Sequence, residues 1–332
     1  MNFSPSVNHM KKNYFCRLNQ PLMSQITNTL LMIRPVAFRM NEETAVNNYF
    51  QENLALTNKD VNAKAQVEFD NFVSKLRAVG VNVIVEDDDI TLDTPDSIFP
   101  NNWVSFHESG IVGLYPMFAE NRRRERREEI FIRLEDEGFV INDIIDYTAA
   151  EDQEYFLEGT GSILMDRTHA KAYCALSPRA DEELFIEFCE DFECDPVLFT
   201  AFQTVKGQQR MPIYHTNVMM ALAEKFCVIC LDAIDDKHEK KNVIKHIKET
   251  KKEIIAITEA QMHQFAGNML QVQGKDDKFM VMSEAARNSL RSDQVKAIQK
   301  HCRILSSDIT TIETCGGGSA RCMMAEVFLP KK

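Results

Sequence analysis

Three side chains suited to covalent catalysis stand before short apolar segments at distant points of the chain: Cys322 in "GGGSARC", His215 in "YHTN" and Glu158 in "LEGTG". A thiol is mostly protonated at neutral pH, so a nucleophilic cysteine needs an adjacent base or another means of activation. His215 has the chemistry of a general acid or base, and Glu158 that of an orienting group or a partner for positive charge. Together they predict nucleophilic catalysis by Cys322, provided that the fold brings the three together.

Other interpretations of these segments stay open. Gly316 to Gly318 alone are typical of a tight turn, since glycine accepts positive φ. Cys315 is a second candidate nucleophile, but it precedes the glycines instead of entering the following strand. Cys227 and Cys230 form half of a zinc-site pattern inside an apolar strand, without a second cysteine pair, so we interpret them as core residues and predict no metal.

A recurring unit indicates the fold. It consists of a short apolar strand, a turn, a second apolar strand and an amphipathic helix, followed by a connecting strand, and successive units start about 50 to 60 residues apart. A fifth copy is split between "LLMIRP" near the N-terminus and "CMMAEVFLP" at the end. The pattern predicts an α/β fold, a five-bladed α/β propeller built from strand-hairpin-helix modules around a central site. We predict one domain over residues 26–332 and a flexible extension over residues 1–25.

In such a ring, the residues just before each hairpin, here called the strand entrances, should line one pocket. They are polar in this chain: "DSIFPNNW", "FLEGTGS", "YHTNV", "FAGNM" and "GGGSARC". The entrances add Asp96, Asn102 and Asn217 to the three candidate catalytic residues.

Composition narrows the class of protein. The net charge of −12 argues against a nucleic-acid surface, which is normally basic. The longest apolar runs are shorter than the roughly 20 residues of a membrane helix, so we expect no membrane association. Nine cysteines without regular spacing favour a reducing compartment, and we expect a cytoplasmic protein. No cofactor motif is present: "EGTGS" lacks the third glycine of a dinucleotide fingerprint.

From about Leu31 to Pro330 the sequence resembles the pentein superfamily of guanidine-modifying hydrolases and amidinotransferases. Its motifs are most similar to the citrulline-utilization hydrolase branch, in particular "MIRPVAFRMNEETAVNNYFQ", "DSIFPNNWVSFH", "LEGTGSILMDR", "YHTNVMM", "VMSEAAR" and "ETCGGGSARCMMAEVFLP". The resemblance implies that Cys322 is the nucleophile, His215 the proton shuttle and Glu158 the acidic residue of the site.

The same resemblance implies substrate contacts. Phe99, in "PDSIFPNN", corresponds to an aromatic residue that packs against the reacting group. Arg122, in "YPMFAENRRRE", and Arg179, in "LSPRAD", correspond to arginines that contact the substrate α-carboxylate. The implied partner is a small amino acid, and a homo-oligomer is compatible with the family.

Where arginine deiminases hold the guanidinium with two aspartates, this chain has Asn102 and Asn217, and Gly161 replaces an acidic residue. Carboxylates suit a cation, whereas amides offer a donor and an acceptor without charge. We therefore expect hydrolysis of citrulline to ornithine, ammonia and carbon dioxide. An arginine deiminase-like enzyme, an amidinotransferase and a non-catalytic binding protein on the same fold remain alternatives.

Overall fold

The computed structural model describes residues 23–207 and 209–332. Of the extension predicted for residues 1–25, all but the last three residues lie outside the described part. The division into an extension and one domain stays a prediction.

Five three-stranded sheets and one two-stranded ribbon make up the strands of the described residues. The strands are β1 (Thr29–Arg34), β2 (Asn82–Asp87), β3 (Val104–Phe106), β4 (Ile111–Leu114), β5 (Asp143–Asp146), β6 (Ile163–Asp166), β7 (Lys171–Leu176), β8 (Asp195–Thr200), β9 (Phe202–Gln203), β10 (Met211–Pro212), β11 (Met220–Leu222), β12 (Phe226–Ile229), β13 (Glu253–Ala256), β14 (Leu270–Gln273), β15 (Lys278–Ser283), β16 (Arg303–Ser307) and β17 (Ala325–Glu326).

All five three-stranded sheets share one pairing pattern. The middle strand is antiparallel to the strand on one side and parallel to the strand on the other, in the orders β3-β4-β5, β6-β7-β8, β11-β12-β13, β14-β15-β16 and β17-β1-β2. In the last sheet the C-terminal strand pairs with the first, Leu30 opposite Glu326, as the split fifth copy predicts. The mixed α/β fold is confirmed. Strand pairing alone does not establish the propeller arrangement.

Helices connect the middle strand of each sheet to its parallel neighbour, as a parallel pair requires. The helices are α1 (Glu42–Ala45), α2 (Asn58–Ala78), α3 (Glu129–Asp136), α4 (Gly159–Ser162), α5 (Glu182–Asp191), α6 (Thr216–Met219), α7 (Lys237–Glu249), α8 (Glu259–Met262), α9 (Glu284–Ser289), α10 (Ser292–Gln299) and α11 (Thr310–Gly316). The crossover helices are α2, α3, α5, α7 and the pair α9 and α10.

Capping residues and apolar faces explain the crossover helices. Thr57, Asp181 and Asp236 accept backbone N–H groups at the start of α2, α5 and α7, which satisfies donors that have no partner within the helix. One face of α2 buries Phe72 in a cluster with Leu30 of β1. The crossover helices thus cover the sheets and leave the strand entrances free to contact each other.

No helix within residues 23–207 and 209–332 is long and apolar enough to cross a membrane.

Candidate active site

The strand entrances meet around a narrow cavity. Its volume is about 10 Å³, which is room for about one water molecule. It is lined by Asn48, Asp96, Phe99, Asn102, Arg122, Arg179, Tyr214, His215, Gly316, Gly318 and Cys322. Residues more than 200 positions apart in sequence therefore share one site.

Glu158 and His215 form the acid-imidazole pair of this site. Glu158 lies directly before α4 and His215 directly before α6. His215 Nε2 lies 2.7 Å from Glu158 Oε2, and the other carboxylate oxygen accepts the backbone N–H of Phe118 at 3.0 Å. Both side chains are almost completely buried.

Buried charges set the protonation states of this pair. Burial by itself would raise the pKa of Glu158, but attraction by Arg179 and the hydrogen bond from His215 lower it to about 2. Burial lowers the pKa of His215 to about 4, in spite of the hydrogen bond to Glu158. At neutral pH the carboxylate is therefore ionised and the imidazole neutral. An ionised carboxylate only accepts, so Nε2 carries the proton and Nδ1 is the free base.

Cys322 lies between two asparagine side chains. Asn268 donates from Nδ2 to the sulfur at 3.2 Å, and Asn217 lies near it with Nδ2 at 3.5 Å and Oδ1 at 3.8 Å. Cys322 is 3% exposed and borders the cavity. The sulfur is thus held by hydrogen bonds while it remains open to the site.

The glycines before Cys322 make room for Phe99. A Cβ atom on Gly316 or Gly318 would lie 2.8 to 2.9 Å from atoms of the Phe99 ring, closer than real contacts of that kind. Gly317 has φ 62, and its carbonyl accepts the hydroxyl of Tyr214 at 2.5 Å. The glycine run therefore allows the loop to pack against an aromatic ring and a tyrosine of the site.

Arg122 fixes the side chain of Asn102. It pairs with Glu125 through two hydrogen bonds of 2.8 and 2.9 Å and donates from Nη1 to Asn102 Oδ1 at 2.8 Å. Burial opposes its charge, but attraction by Glu125 outweighs burial and raises the pKa of Arg122. Because an arginine only donates, the atom of Asn102 that faces it must be the oxygen.

The amide nitrogen of Asn102 consequently points the other way, into the space beside His215. Nδ2 of Asn102 is buried and has no hydrogen-bond partner. A Cβ atom on Gly161 would meet this nitrogen and would lie 2.9 Å from His215 Nδ1. The missing side chain at residue 161 therefore keeps open the space where an N–H donor and a basic nitrogen face each other.

Arg179 and Asp96 carry the remaining charges of the cavity wall. Arg179 donates to Asn47 Oδ1 and to the carbonyl of Thr44, and its Nη1 lies 3.5 Å from Glu158 Oε2. Asp96 Oδ2 accepts from Asn41 and Thr44, while Oδ1 is buried without a partner. Burial raises the pKa of Asp96, against the attraction of Arg122. Residues 41–51, here called the covering segment, thus lie against the cavity wall. They supply the hydrogen-bond acceptors for Arg179.

The structure brings the sequence-predicted site residues together. Nine residues were expected, and seven border the cavity: Asp96, Phe99, Asn102, Arg122, Arg179, His215 and Cys322. The other two lie directly behind it, where Glu158 contacts His215 and Asn217 contacts Cys322. The role of each residue stays a prediction.

Sequence reasoning missed Asn268 and the covering segment. Asn268 belongs to "FAGN", which has the same position before its strand as the four other entrances, and that position was the available signal. Asn41 and Asn47 lie within the quoted motif "MIRPVAFRMNEETAVNNYFQ", but that motif does not indicate their contacts with Asp96 and Arg179. The charge pattern of "NRRRERREE" is typical of a solvated helix face, but Glu125 within it is buried with Arg122.

The half zinc-site pattern at Cys227 and Cys230 lies away from the cavity. Cys227 and Cys230 are buried in the core. In the described part of the chain, no three His, Cys, Asp or Glu side chains are grouped in a way suited to a metal ion.

Solved structures with the same fold are hydrolases of guanidino compounds. The N-terminal domain of ArgZ, with a covalently bound reaction intermediate, has 18% identity and a TM-score of 0.68 over 91% of this chain and 99% of that one. Complete ArgZ, an arginine dihydrolase of the ornithine-ammonia cycle in Cyanobacteria, has 16% identity and a TM-score of 0.69, over 92% of this chain and 41% of that one. A dimethylarginine dimethylaminohydrolase adduct with S-methyl-L-thiocitrulline has 15% identity and a TM-score of 0.59, over 91% and 99%.

These likenesses show the fold, which is that of the penteins. The model of the family "N,N dimethylarginine dimethylhydrolase, eukaryotic" matches residues 34–329, and the chain belongs to that family. Membership of this family makes the chain a hydrolase of C–N bonds. A sequence search of curated proteins finds no match.

Gly161→Ala tests the space beside His215. The added methyl group would displace Asn102 or the imidazole, and displacement of about 1 Å in an active site costs on the order of 10²-fold in rate. We expect kcat/KM to fall by about that factor, with a melting temperature within a few degrees of the wild type.

Gly138→Ala is the matched control. Gly138 has φ 86 and no heavy atom within 4 Å of an added Cβ, so this change strains the backbone without touching the site. It should lower the melting temperature and leave kcat/KM unchanged. Full activity of Gly161→Ala would contradict the described geometry.

The pH dependence of kcat/KM tests the charge state of His215. Since its pKa is about 4, the imidazole of the free enzyme stays neutral to well below pH 6, and the acid limb of the profile should lie near pH 4. Glu158→Gln removes the charge that orients the ring, and kcat should fall by about 10²- to 10⁴-fold. Circular dichroism at each pH checks folding, and an acid limb near pH 6.5 would show that the imidazole is not buried as described.

Proposed function

We propose that this enzyme hydrolyses the side chain of citrulline through a covalent intermediate on Cys322. The observation that carries the proposal is the orientation of Asn102. Arg122 holds its oxygen, so the amide presents N–H donors to the space beside His215.

An N–H donor at this position suits a neutral ureido group. The ureido group has a carbonyl oxygen that accepts, whereas every nitrogen of a guanidinium is a donor and none accepts. A guanidinium would leave the buried amide of Asn102 unpaired, which costs free energy. The site therefore favours citrulline over arginine, because only the ureido oxygen of citrulline pairs with the buried amide of Asn102.

Arg179 and Asp96 suit the two charges of a free amino acid. The guanidinium of Arg179 is matched to a carboxylate, which would replace Asn47 as its partner. The unpaired Oδ1 of Asp96 is an acceptor for the substrate ammonium group. Binding by this route requires the covering segment to move, since the cavity is too small for an amino acid.

In the first half of the reaction, Nδ1 of His215 takes the thiol proton and the sulfur of Cys322 attacks the ureido carbon. Asn102 donates to the oxygen as it gains negative charge. His215 returns the proton to the nitrogen attached to the amino-acid side chain, the C–N bond breaks, and ornithine leaves. Cys322 then carries a carbamoyl group.

In the second half, neutral His215 takes a proton from water, and the oxygen attacks the carbamoyl carbon. The C–S bond breaks, the thiol is restored with that proton, and carbamic acid breaks down to ammonia and carbon dioxide. One water is consumed for each citrulline. Glu158 keeps the imidazole oriented throughout, and we propose that it also accepts ureido N–H groups of the substrate.

Hydrolysis of arginine or of dimethylarginine is the second candidate. It is favoured by the family, whose model is that of a dimethylarginine dimethylhydrolase, and by structural neighbours such as ArgZ, an arginine dihydrolase with a complex containing its substrate. Asp96 would be the acceptor for guanidino N–H groups in that case. Amidino transfer to a second amine uses the same residues, and a binding protein without turnover needs none of them.

We also infer that the five sheets form the blades of a propeller around this site. The support is that each three-stranded sheet contributes one side chain from the segment before its first antiparallel strand: Asn102, Glu158, His215, Asn268 and Cys322. A cytoplasmic location and a homo-oligomer stay predictions.

Incubation with citrulline, arginine, dimethylarginine and agmatine tests the proposed function. We expect ornithine and ammonia from citrulline, with turnover of arginine lower by at least about 10²-fold because the buried amide stays unpaired. Added glycine should not replace water as the acceptor of the group carried by Cys322. Ammonia and citrulline formed from arginine as the main reaction would instead establish a deiminase.

Two cysteine variants control this assay. Cys322→Ala should abolish turnover and leave the melting temperature within a few degrees. Cys315→Ala, a change to a buried cysteine that does not border the cavity, should keep most of the activity. Loss of activity in Cys315→Ala alone would mean that the nucleophile is wrongly assigned.

A further inference from the structure

The strand entrance "FAGN" brings Asn268 into direct contact with the nucleophile. Asn268 is 1% exposed and lies two residues before β14. Gly267 beside it packs against the entrance of β11, where a Cβ would lie 2.7 Å from the carbonyl carbon of Met219. That backbone cannot move away cheaply, so the glycine allows Asn268 to approach the entrance that carries His215.

Three neighbours fix the orientation of the Asn268 amide. Oδ1 accepts the backbone N–H of Arg321 at 3.0 Å, and Nδ2 donates to the backbone carbonyl of Asn217 at 3.0 Å and to Cys322 Sγ at 3.2 Å. A backbone N–H only donates and a carbonyl only accepts, so the amide cannot be turned over. The N–H group necessarily points at the sulfur.

We propose that Asn268 is a catalytic hydrogen-bond donor to the sulfur of Cys322. The inference rests on the proposed role of Cys322 as the nucleophile. A hydrogen bond to an ionised group is stronger than the same bond to its neutral form, so the donor stabilises negative charge as it develops on the sulfur.

The donor acts in both halves of the reaction. It stabilises the sulfur anion before attack on the substrate carbon. In the carbamoyl intermediate the sulfur is neutral and the bond weakens, and it strengthens again as the C–S bond breaks and the sulfur leaves with the electron pair. Asn217 lies farther from the sulfur, with its nitrogen and oxygen at similar distances, and is less suited to this function.

Two variants distinguish the N–H donor to the sulfur of Cys322 from the hydrogen bond that Oδ1 accepts from the backbone N–H of Arg321. Asn268→Asp keeps an oxygen for the Arg321 N–H and replaces the N–H donor with an acceptor. Asn268→Ala removes both. Asn142→Asp, at a loop where Nδ2 contacts the carbonyl of Ser109, is a matched control for the same chemical change outside the site.

The measurement is the rate of alkylation of Cys322 by iodoacetamide at pH 8, followed by mass spectrometry of the peptide that contains it, with no substrate present. Both Asn268 variants should react at least about 10-fold more slowly than the wild type, since hydrogen bonds to charged groups are worth that much. Their kcat should fall by a similar factor with KM changed less than about 3-fold, and Asn142→Asp should match the wild type.

The proposal would be overturned if Cys322 in Asn268→Asp is alkylated at the wild-type rate while only Asn268→Ala reacts slowly. In that case only the hydrogen bond from the Arg321 N–H would matter. The assay does not depend on the substrate. Slow alkylation in both variants with no turnover of citrulline would therefore leave this inference standing while the proposed substrate fails. The inference about Asn268 would also be overturned if iodoacetamide does not modify Cys322 in the wild-type enzyme.

Discussion

The ionised carboxylate of Glu158 is the feature on which the site depends. A buried carboxylate is costly unless opposite charge and hydrogen bonds compensate for its lost solvation. Here Arg179, the imidazole of His215 and a backbone N–H surround it, and its pKa falls to about 2. The proton of His215 is thereby fixed on Nε2, and the free nitrogen Nδ1 faces the reaction space.

In the proposed function, a second buried ion pair, between Arg122 and Glu125, sets which substrate the site prefers. Arg122 is neutralised by Glu125 and uses its remaining donors on Asn102 and on the carbonyl of Phe99. In the proposed function its effect on the substrate is indirect, because it decides which end of the Asn102 amide faces the cavity. The direct contact with the substrate α-carboxylate that the family resemblance implies for Arg122 stays a prediction. Asn102 and Asn268 each supply an amide N–H donor, one in the space beside His215 and one to the sulfur of Cys322.

The sequence allowed the repeat, the closing of the last strand onto the first, and the meeting of Cys322, His215 and Glu158 at one site to be predicted. These three residues were selected because each places a functional side chain at a strand entrance and the entrances follow one pattern. Their catalytic roles stay predictions. Asn268 has the same entrance position but was not selected, because the pattern alone does not show that its amide contacts Cys322. The contact of Asn47 with Arg179 depends on residues 132 positions apart, and no local pattern encodes it. The burial of Glu125 depends on tertiary packing around the 3-10 turn Glu120–Glu125, which overrides the polar appearance of the segment.

The ratio of kcat/KM for citrulline to that for arginine, compared between the wild type and Asn102→Asp, tests the central claim most directly. The substitution places an acceptor where the structure has a donor and keeps the size of the side chain. We predict that the ratio falls by about 10²-fold, because the ureido oxygen loses its donor and a guanidinium gains an acceptor. An unchanged ratio, with both activities lowered equally, would contradict the claim that the Asn102 amide selects a neutral ureido group.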